Sequence, residues 1–358
     1  MQNRRPPGTV QADVLAYVVR RILWAGVLFL AITAVTYILF FVLPVQKQQA
    51  VRRTEFAATD VRHDLNINGP VYSEYAKFLS RTIHGNLGHS FVDRQSVTTI
   101  VKDAAPVTAW LVLGGAFFWL LIAIPVGVLS ALRPRSVLDR ITMTGVLIGI
   151  SAHPLWIGLM LSYFLGFRLH AVPLGGYCDL INPSTTCGGP VQWAYHMLLP
   201  WLTFTILFAA LYVRMIRANV LEILDADYVQ TARAKGASPW RVLRSHVLRN
   251  ALLPVVTMLG MDMGVAFGGA VFVETVFGLP GLGATAVTSL RQQDLPTIMG
   301  IVVWSTLAIL TFNLLVDLVY AAIDPRVQLV KPKERAASAP TAQAPSTTQP
   351  ATQSAGGR

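Results

Sequence analysis

Apolar residues in this chain gather into long runs: 22–46, 104–132, 141–167, a core at 197–213, 251–273 broken only by Asp262, and 295–316. Roughly 20 consecutive apolar residues are enough for a helix to cross the hydrocarbon core of a bilayer. Backbone N–H and C=O groups find no water there, so such runs must close their hydrogen bonds inside helices. The pattern predicts six transmembrane helices. The first run follows Arg20 and Arg21 and lacks a small-residue cleavage site, so it reads as a retained helix that also targets the chain.

The polar stretches between the runs are uneven. Residues 1–21 form a short arm with Pro6 and Pro7. Loop 44–103 contains "PVYSEYAKFLSRTI", in which Tyr72, Tyr75, Phe78, Leu79 and Ile83 fall near helical spacing and predict a surface helix. It ends in the glycine-punctuated turn "GNLGHS". From about Pro332 the chain is rich in Ala, Pro, Ser, Thr and Gln, a composition that buries too little apolar surface to offset ordering entropy. The expected organisation is an arm 1–21, a six-helix unit 22–325 with loops 44–103 and 214–250, and a disordered tail 326–358. No internal repeat is visible.

Composition agrees with the membrane reading: 53% of residues are hydrophobic and 13% charged, against about 25% charged in ordinary globular domains. The net charge of +11 invites a nucleic-acid reading, but the distribution of charge answers it. With the N-terminus inside, the inner segments carry 19 Lys and Arg and the outer ones 10, eight of them in loop 44–103. Long loops weigh little in the positive-inside rule, so the basic excess is an orientation signal, with both termini cytoplasmic and no nucleic-acid partner expected. Outer loop 167–196 holds Cys178 and Cys187. An oxidising exterior favours a disulfide; free thiols, or a zinc site with His170 and His196 at unfamiliar spacing, are the alternatives.

The polar stretch 214–250 interrupts this apolar chain with an ordered design. Asp225 or Asp227 is placed to cap a helix running to about Lys235, and Gly236 supplies a position that tolerates positive φ. Ser238-Pro239 then reads as the start of a second helix. Tyr228, Thr231, Ala232 and Lys235 share one face of the first, and the small Ala232 and Ala234 permit close approach. Such a helix either docks into a partner or is a solvated connector.

"DYVQTARAKG" followed by "RVLRSHVLRNALLP" resembles the cytoplasmic coupling-helix loop of ABC-importer permeases, and within them the dipeptide/oligopeptide/nickel subfamily. Gln230-Thr231-Ala232 occupies the positions of that family's Glu-Ala-Ala and Gly236 matches its glycine. His246, Leu248 and Arg249 stand where the general pattern has Ile, Leu and Pro, as in the peptide subfamily. The resemblance extends over roughly 17–327 through "YVVRRIL", "GNLGHSF", "IPVGVLSALRPRSVLDR", "FVETVFGLPGLG" and "NLLVDLVYAAIDPR" in order. It implies an all-α integral membrane protein: six transmembrane helices with a cytoplasmic coupling helix, of the type I ABC-importer permease kind. It also implies contact with the ATPase through Asp227, Tyr228, Thr231, Ala232, Arg233, Lys235 and Gly236. The implied partners are a second homologous permease, two ATP-binding subunits or a fused ATPase, an extracytoplasmic solute-binding protein, membrane lipid and a peptide substrate. A nickel complex or glutathione is the alternative solute. The chain has no G-x-x-x-x-G-K-[ST] phosphate loop, so ATP and Mg²⁺ are expected on partner subunits, with no cofactor or metal and no catalytic residue on this one.

Candidates for the translocation path are Met258, Asp262 and Glu274. Asp262 is an acid within an apolar run and by default faces a cavity or a partner. It meets a substrate ammonium group, or else pairs structurally with a neighbouring helix. Asp317, with Asn313 on the last helix toward the inner side, is expected to pair structurally with an Arg of an inner loop, and His153 beside Pro154 reads as a packing residue. Pro125, Pro154, Pro200 and Pro254 are expected to kink helices, and Gly260, Gly264, Gly268 and Gly269 to allow close helix contact. Against the importer reading stand a membrane-tethered DNA-binding regulator, disfavoured by the acids in 214–250, and an ATP-independent channel or secondary transporter, disfavoured by the missing inverted repeat. An intramembrane enzyme finds no H-E-x-x-H or G-x-S-x-G.

Overall fold

A computed structural model of the chain describes residues 7–39, 71–180 and 187–323. The sequence expectations for 1–6 of the arm, for 40–70 of the long loop and for the tail lie outside the described residues, as does the side chain of Asp317, whereas 7–21, expected as a polar arm, are already helical. Among the described residues every regular element is a helix, with two isolated bridges. In chain order they are α1 (Pro7–Tyr37), α2 (Val71–Ile83), α3 (Val97–Leu132), α4 (Val137–Ser151), α5 (Pro154–Leu161, prolonged by a π-helical turn Ser162–Arg168) and α6 (Pro190–Leu224). There follow α7 (Asp227–Ala234), α8 (Pro239–Val242, continued by the π-helical Leu243–Leu248 and by Arg249–Ala251), α9 (Leu253–Phe277), α10 (Leu282–Gln292) and α11 (Leu295–Ile323).

Among the described residues five helices are long and apolar enough to cross a membrane, and the sixth predicted span is a bent pair. Run 141–167, expected as one helix, turns by 109° between α4 and α5. The reason is local. Pro154 has no N–H to continue the helix and pushes His153 into an extended conformation. His153 then caps α5 with its ring, Nδ1 accepting from the Leu155 N–H at 3.3 Å. Pro254 likewise stands at a helix start, whereas Pro125 and Pro200 are carried inside continuous helices.

The centre of the bundle is the pair α3 and α6. Lipid tails are as apolar as the side chains, so contact between helices here depends on close packing more than on water exclusion. Gly115 and Gly127 provide it: a Cβ on either would fall 2.9 Å from Phe204 Cβ or Ile216 Cβ. Between them Trp119 stacks on Phe208 at 4.5 Å and Phe208 on Phe204 at 5.9 Å. At the periphery α1 leans on α11. The predicted surface helix exists as α2, but only part of its expected face is covered. Tyr75 and Phe78 pack on Tyr37 of α1, and the Tyr75 hydroxyl lies 2.9 Å from Thr33 Oγ1, while Tyr72 and Ile83 stay exposed.

Candidate coupling site and translocation path

The helix α7 begins three residues after α6 ends. Its N-cap is Ala226, extended at φ −70° and without a side-chain bond, so neither Asp225 nor Asp227 caps it. Asp227 is the first helical residue, where its charge still complements the helix dipole. The far end follows expectation: Gly236 has φ +82°, a conformation that a side chain disfavours, and Ala237 donates its N–H back to Ala232 O at 3.2 Å. Ser238 and Pro239 then open α8, again without a side-chain cap bond.

One side of α7 is glued to the bundle and the other is bare. Val229 is fully buried with Val242 and Val247 of the α8 segment, Ala232 packs against the same cluster, and Asn250 Nδ2 donates to the Tyr228 hydroxyl at 3.2 Å. Asp227, Thr231, Arg233, Lys235 and Gly236 are exposed. Tyr228 shows much of its ring, and beside α7 stands Trp240, 66% exposed. The sequence reading passed over Trp240, although an aromatic residue in an otherwise polar loop is a usable signal.

Two turns before α6 ends, Arg217 grips Asp139 of α4: Nε donates to Oδ1 at 2.6 Å and Nη2 to Oδ2 at 2.9 Å. Asp139 also accepts from Ser130 Oγ at 2.5 Å and from the Arg135 N–H at 2.9 Å. That last bond holds Arg135 at φ +62°, a left-handed conformation uncommon outside glycine. Asp139 has 6% of its side chain exposed and Arg217 24%. Asp139 lies within the quoted "IPVGVLSALRPRSVLDR" and Arg217 within loop 214–250, and neither was singled out by the sequence pattern. Nearby, Asn219 Nδ2 donates to Ala251 O at 3.3 Å, tying α6 to the base of α9.

Along α9, Pro254, Thr257, Met261, Val265, Gly268, Phe272 and Thr275 form a continuous exposed stripe, with Met258 and Asp262 half-buried on its edge. Asp262 Oδ2 and the hydroxyl of the fully buried Tyr212 lie side by side, and neither finds a well-formed hydrogen bond among the described residues. One turn further along both helices a cavity of about 290 Å³ opens between Phe204, Phe208, Val265, Gly268 and Phe272.

Glu274, the third path candidate, is held inside the helix bundle. It is wholly buried, accepting from Thr108 Oγ1 at 2.6 Å and from the Ala284 N–H at 2.9 Å, while Thr108 accepts the Leu282 N–H at 2.8 Å. A Cβ on Gly281 would collide with its carboxylate, so the glycine is obligatory. Glu274 therefore clasps α9 to α3 and to the start of α10. A second clasp lies close by: Asp294 accepts from Ser90 Oγ and Thr297 Oγ1, both at 2.6 Å, and from the Phe91 N–H at 3.1 Å. This fastens the "GNLGHS" turn to the α10–α11 connection.

Cys178 and Cys187 are joined in a disulfide, with His196 Nδ1 3.3 Å from Cys178 Sγ. Their loop rests on the end of α9, Gly176 donating its N–H to Phe277 O at 2.8 Å. Burial raises the pKa of the Tyr177 hydroxyl in the same loop. Among the described residues no three metal-binding side chains come together.

Residues 123–329 match the family described as binding-protein-dependent transport system inner membrane component, and 14–112 match its N-terminal companion family. A putative peptide permease protein of Brucella suis biovar 1 is 34% identical over 322 residues, covering 88% of this chain and all of the relative. The oligopeptide transport system permease protein AppB of Bacillus subtilis is 35% identical over 318 residues, covering 87% and 99%. The dipeptide transport system permease protein DppB of Escherichia coli K12 is 31% identical over 337 residues, covering 88% and 99%. In fold the chain is similar to inward-facing structures of the MetNI methionine ABC transporter, with TM-score 0.50 at 19% identity over 63% of this chain and 96% of that one.

Proposed function

The chain belongs to the binding-protein-dependent transport system inner membrane component family, as a permease subunit of an ABC importer, and we propose that it carries short peptides across the membrane. The names of its relatives, which include dipeptide and oligopeptide permeases, support this solute class. In this reading residues 22–325 form the transport unit, and both termini and the α7 end of the bundle are cytoplasmic. The excess of Lys and Arg in the segments at that end supports the orientation. A second permease faces the exposed stripe of α9, and solute passes between the two subunits. A solute-binding protein delivers it from outside, and companion subunits bind ATP and Mg²⁺.

The observation that carries the proposal is the two-sidedness of α7. Its buried side packs on and bonds to the α8 segment that leads into α9, while its open side presents Tyr228, Thr231, Arg233 and Lys235 with nothing among the described residues covering it. A short helix built in this way transmits force from a subunit that binds ATP to helices that do not. Along the path, an acid in a membrane helix is costly unless it meets water, a partner or a cation. Asp262 at the edge of the exposed stripe is thus suited to a peptide ammonium group, with Met258 one turn away on the same edge.

Purifying the complex around this chain tests the proposal directly. ATP-binding subunits should copurify and hydrolyse ATP faster when binding protein and peptide are supplied. Gly236→Pro should abolish that stimulation, because proline fixes φ near −65° where the chain needs +82°. A complex without an ATPase, or a variant stimulated like the wild type, would remove α7 from the mechanism.

A further inference from the structure

We propose that the Asp139–Arg217 pair is the joint through which motion of α7 reaches α4 and α5, separately from the route to α9; the inference rests on the coupling role of α7. Helix α6 runs to within three residues of α7 and bears two ties in its last turns, pointing different ways. Asn219 bonds to Ala251 O at the base of α9 through one neutral hydrogen bond. Arg217 bonds to α4 through a two-pronged charged one. A fork of two parallel bonds fixes orientation as well as distance, so a rotation of α6 is passed on without slack.

Asp139 is equipped to receive it. Its four hydrogen bonds come from the last turn of α3, the α3–α4 turn and α6. Further along, α4 lies against α6 backbone to backbone: a Cβ on Gly149 would fall 2.9 Å from Ala210 Cβ and 3.3 Å from Ile206 O. Past the bend, His153 packs edge-on to Phe272 at 5.4 Å, and Gly158 faces Val276 and Phe277 at the far end of α9. The α4–α5 unit thus reaches from Asp139 at the α7 end to the neighbourhood of the Glu274 clasp at the other. Arg217 is a positioning residue on this route.

The test uses the assembled complex with an environment-sensitive fluorophore on one of two exposed positions outside the proposed path, Ile148→Cys on α4 or Arg249→Cys at the base of α9. Cys178 and Cys187 are joined to each other and do not compete for the label. Each reporter is read with and without ATP trapped by vanadate, alongside ATP turnover. In the wild type both should respond. In Arg217→Met the α4 response should fall at least about fivefold, the low end of ordinary coupling between sites. The α9 response and ATP turnover should persist, and Arg217→Lys, keeping the charge without the fork, should lie between. Equal responses in variant and wild type, or loss of both responses together with turnover, would overturn the proposal. So would failure of both variants to assemble, which would assign the pair to folding alone. A wild type silent only at α4 sinks this inference by itself, whereas one silent at both positions sinks the coupling role of α7 as well.

Discussion

The two ends of the bundle handle buried carboxylates in opposite ways. At the α7 end, Asp139 is neutralised by a full positive charge arriving from another helix, Arg217 on α6. At the α10 end, Glu274 and Asp294 are more deeply buried, and their partners among the described residues are hydroxyls and backbone N–H groups. Neutral donors gathered around a fixed acid bind loops and helix ends into one shape, and each bond weakens steeply as the geometry departs from ideal. A forked charge pair holds its two helices in register and stays bound while both move together, since its Coulomb attraction falls only as the inverse of distance. The α10 end is built as a rigid clasp and the α7 end as a joint.

Breaking the clasp should cost the most. Glu274→Ala strips acceptors from the Thr108 hydroxyl and the Ala284 N–H and opens a void beneath Gly281. The expected loss is on the order of 3 kcal/mol, read as a lower thermal midpoint of the purified complex. Uptake should fall only in proportion to folded protein. If the midpoint holds while transport is lost, Glu274 belongs to the path after all. Asp294→Asn should cost less, about 1 kcal/mol, because the amide keeps one carbonyl for the Phe91 N–H and the Thr297 hydroxyl can turn to accept from its NH₂. A larger loss than for Glu274→Ala would reverse the order of the two clasps. Arg217→Met leaves a nearly buried carboxylate without its cation and should lower the midpoint by a comparable amount, but unlike the other two it should also uncouple α4 from ATP.

The six spans were legible because length and apolarity alone identify a helix that crosses lipid. The bend at His153 was not, since Pro154 reads equally well as a kink or as the first residue of a new helix, and an apolar run carries no direction. The turn at Gly236 was legible because only glycine accepts its conformation readily, while the cap at Ala226 left no side-chain signature. Glu274 stood out as an acid, but its meaning depends on Thr108, 166 positions away. Asp139 and Arg217 are 78 positions apart and each looks like an ordinary charged residue near a membrane surface. Trp240 was visible and went unweighed.

As a coupling helix, α7 must lie with its open side against an ATP-binding subunit. The most direct measurement attaches a short photoreactive linker to Thr231→Cys in the purified complex and identifies what it joins. The account predicts an adduct between this chain and an ATP-binding subunit, absent when that subunit is withheld. An intact complex that yields no such adduct, from Thr231→Cys or from Lys235→Cys, would contradict it.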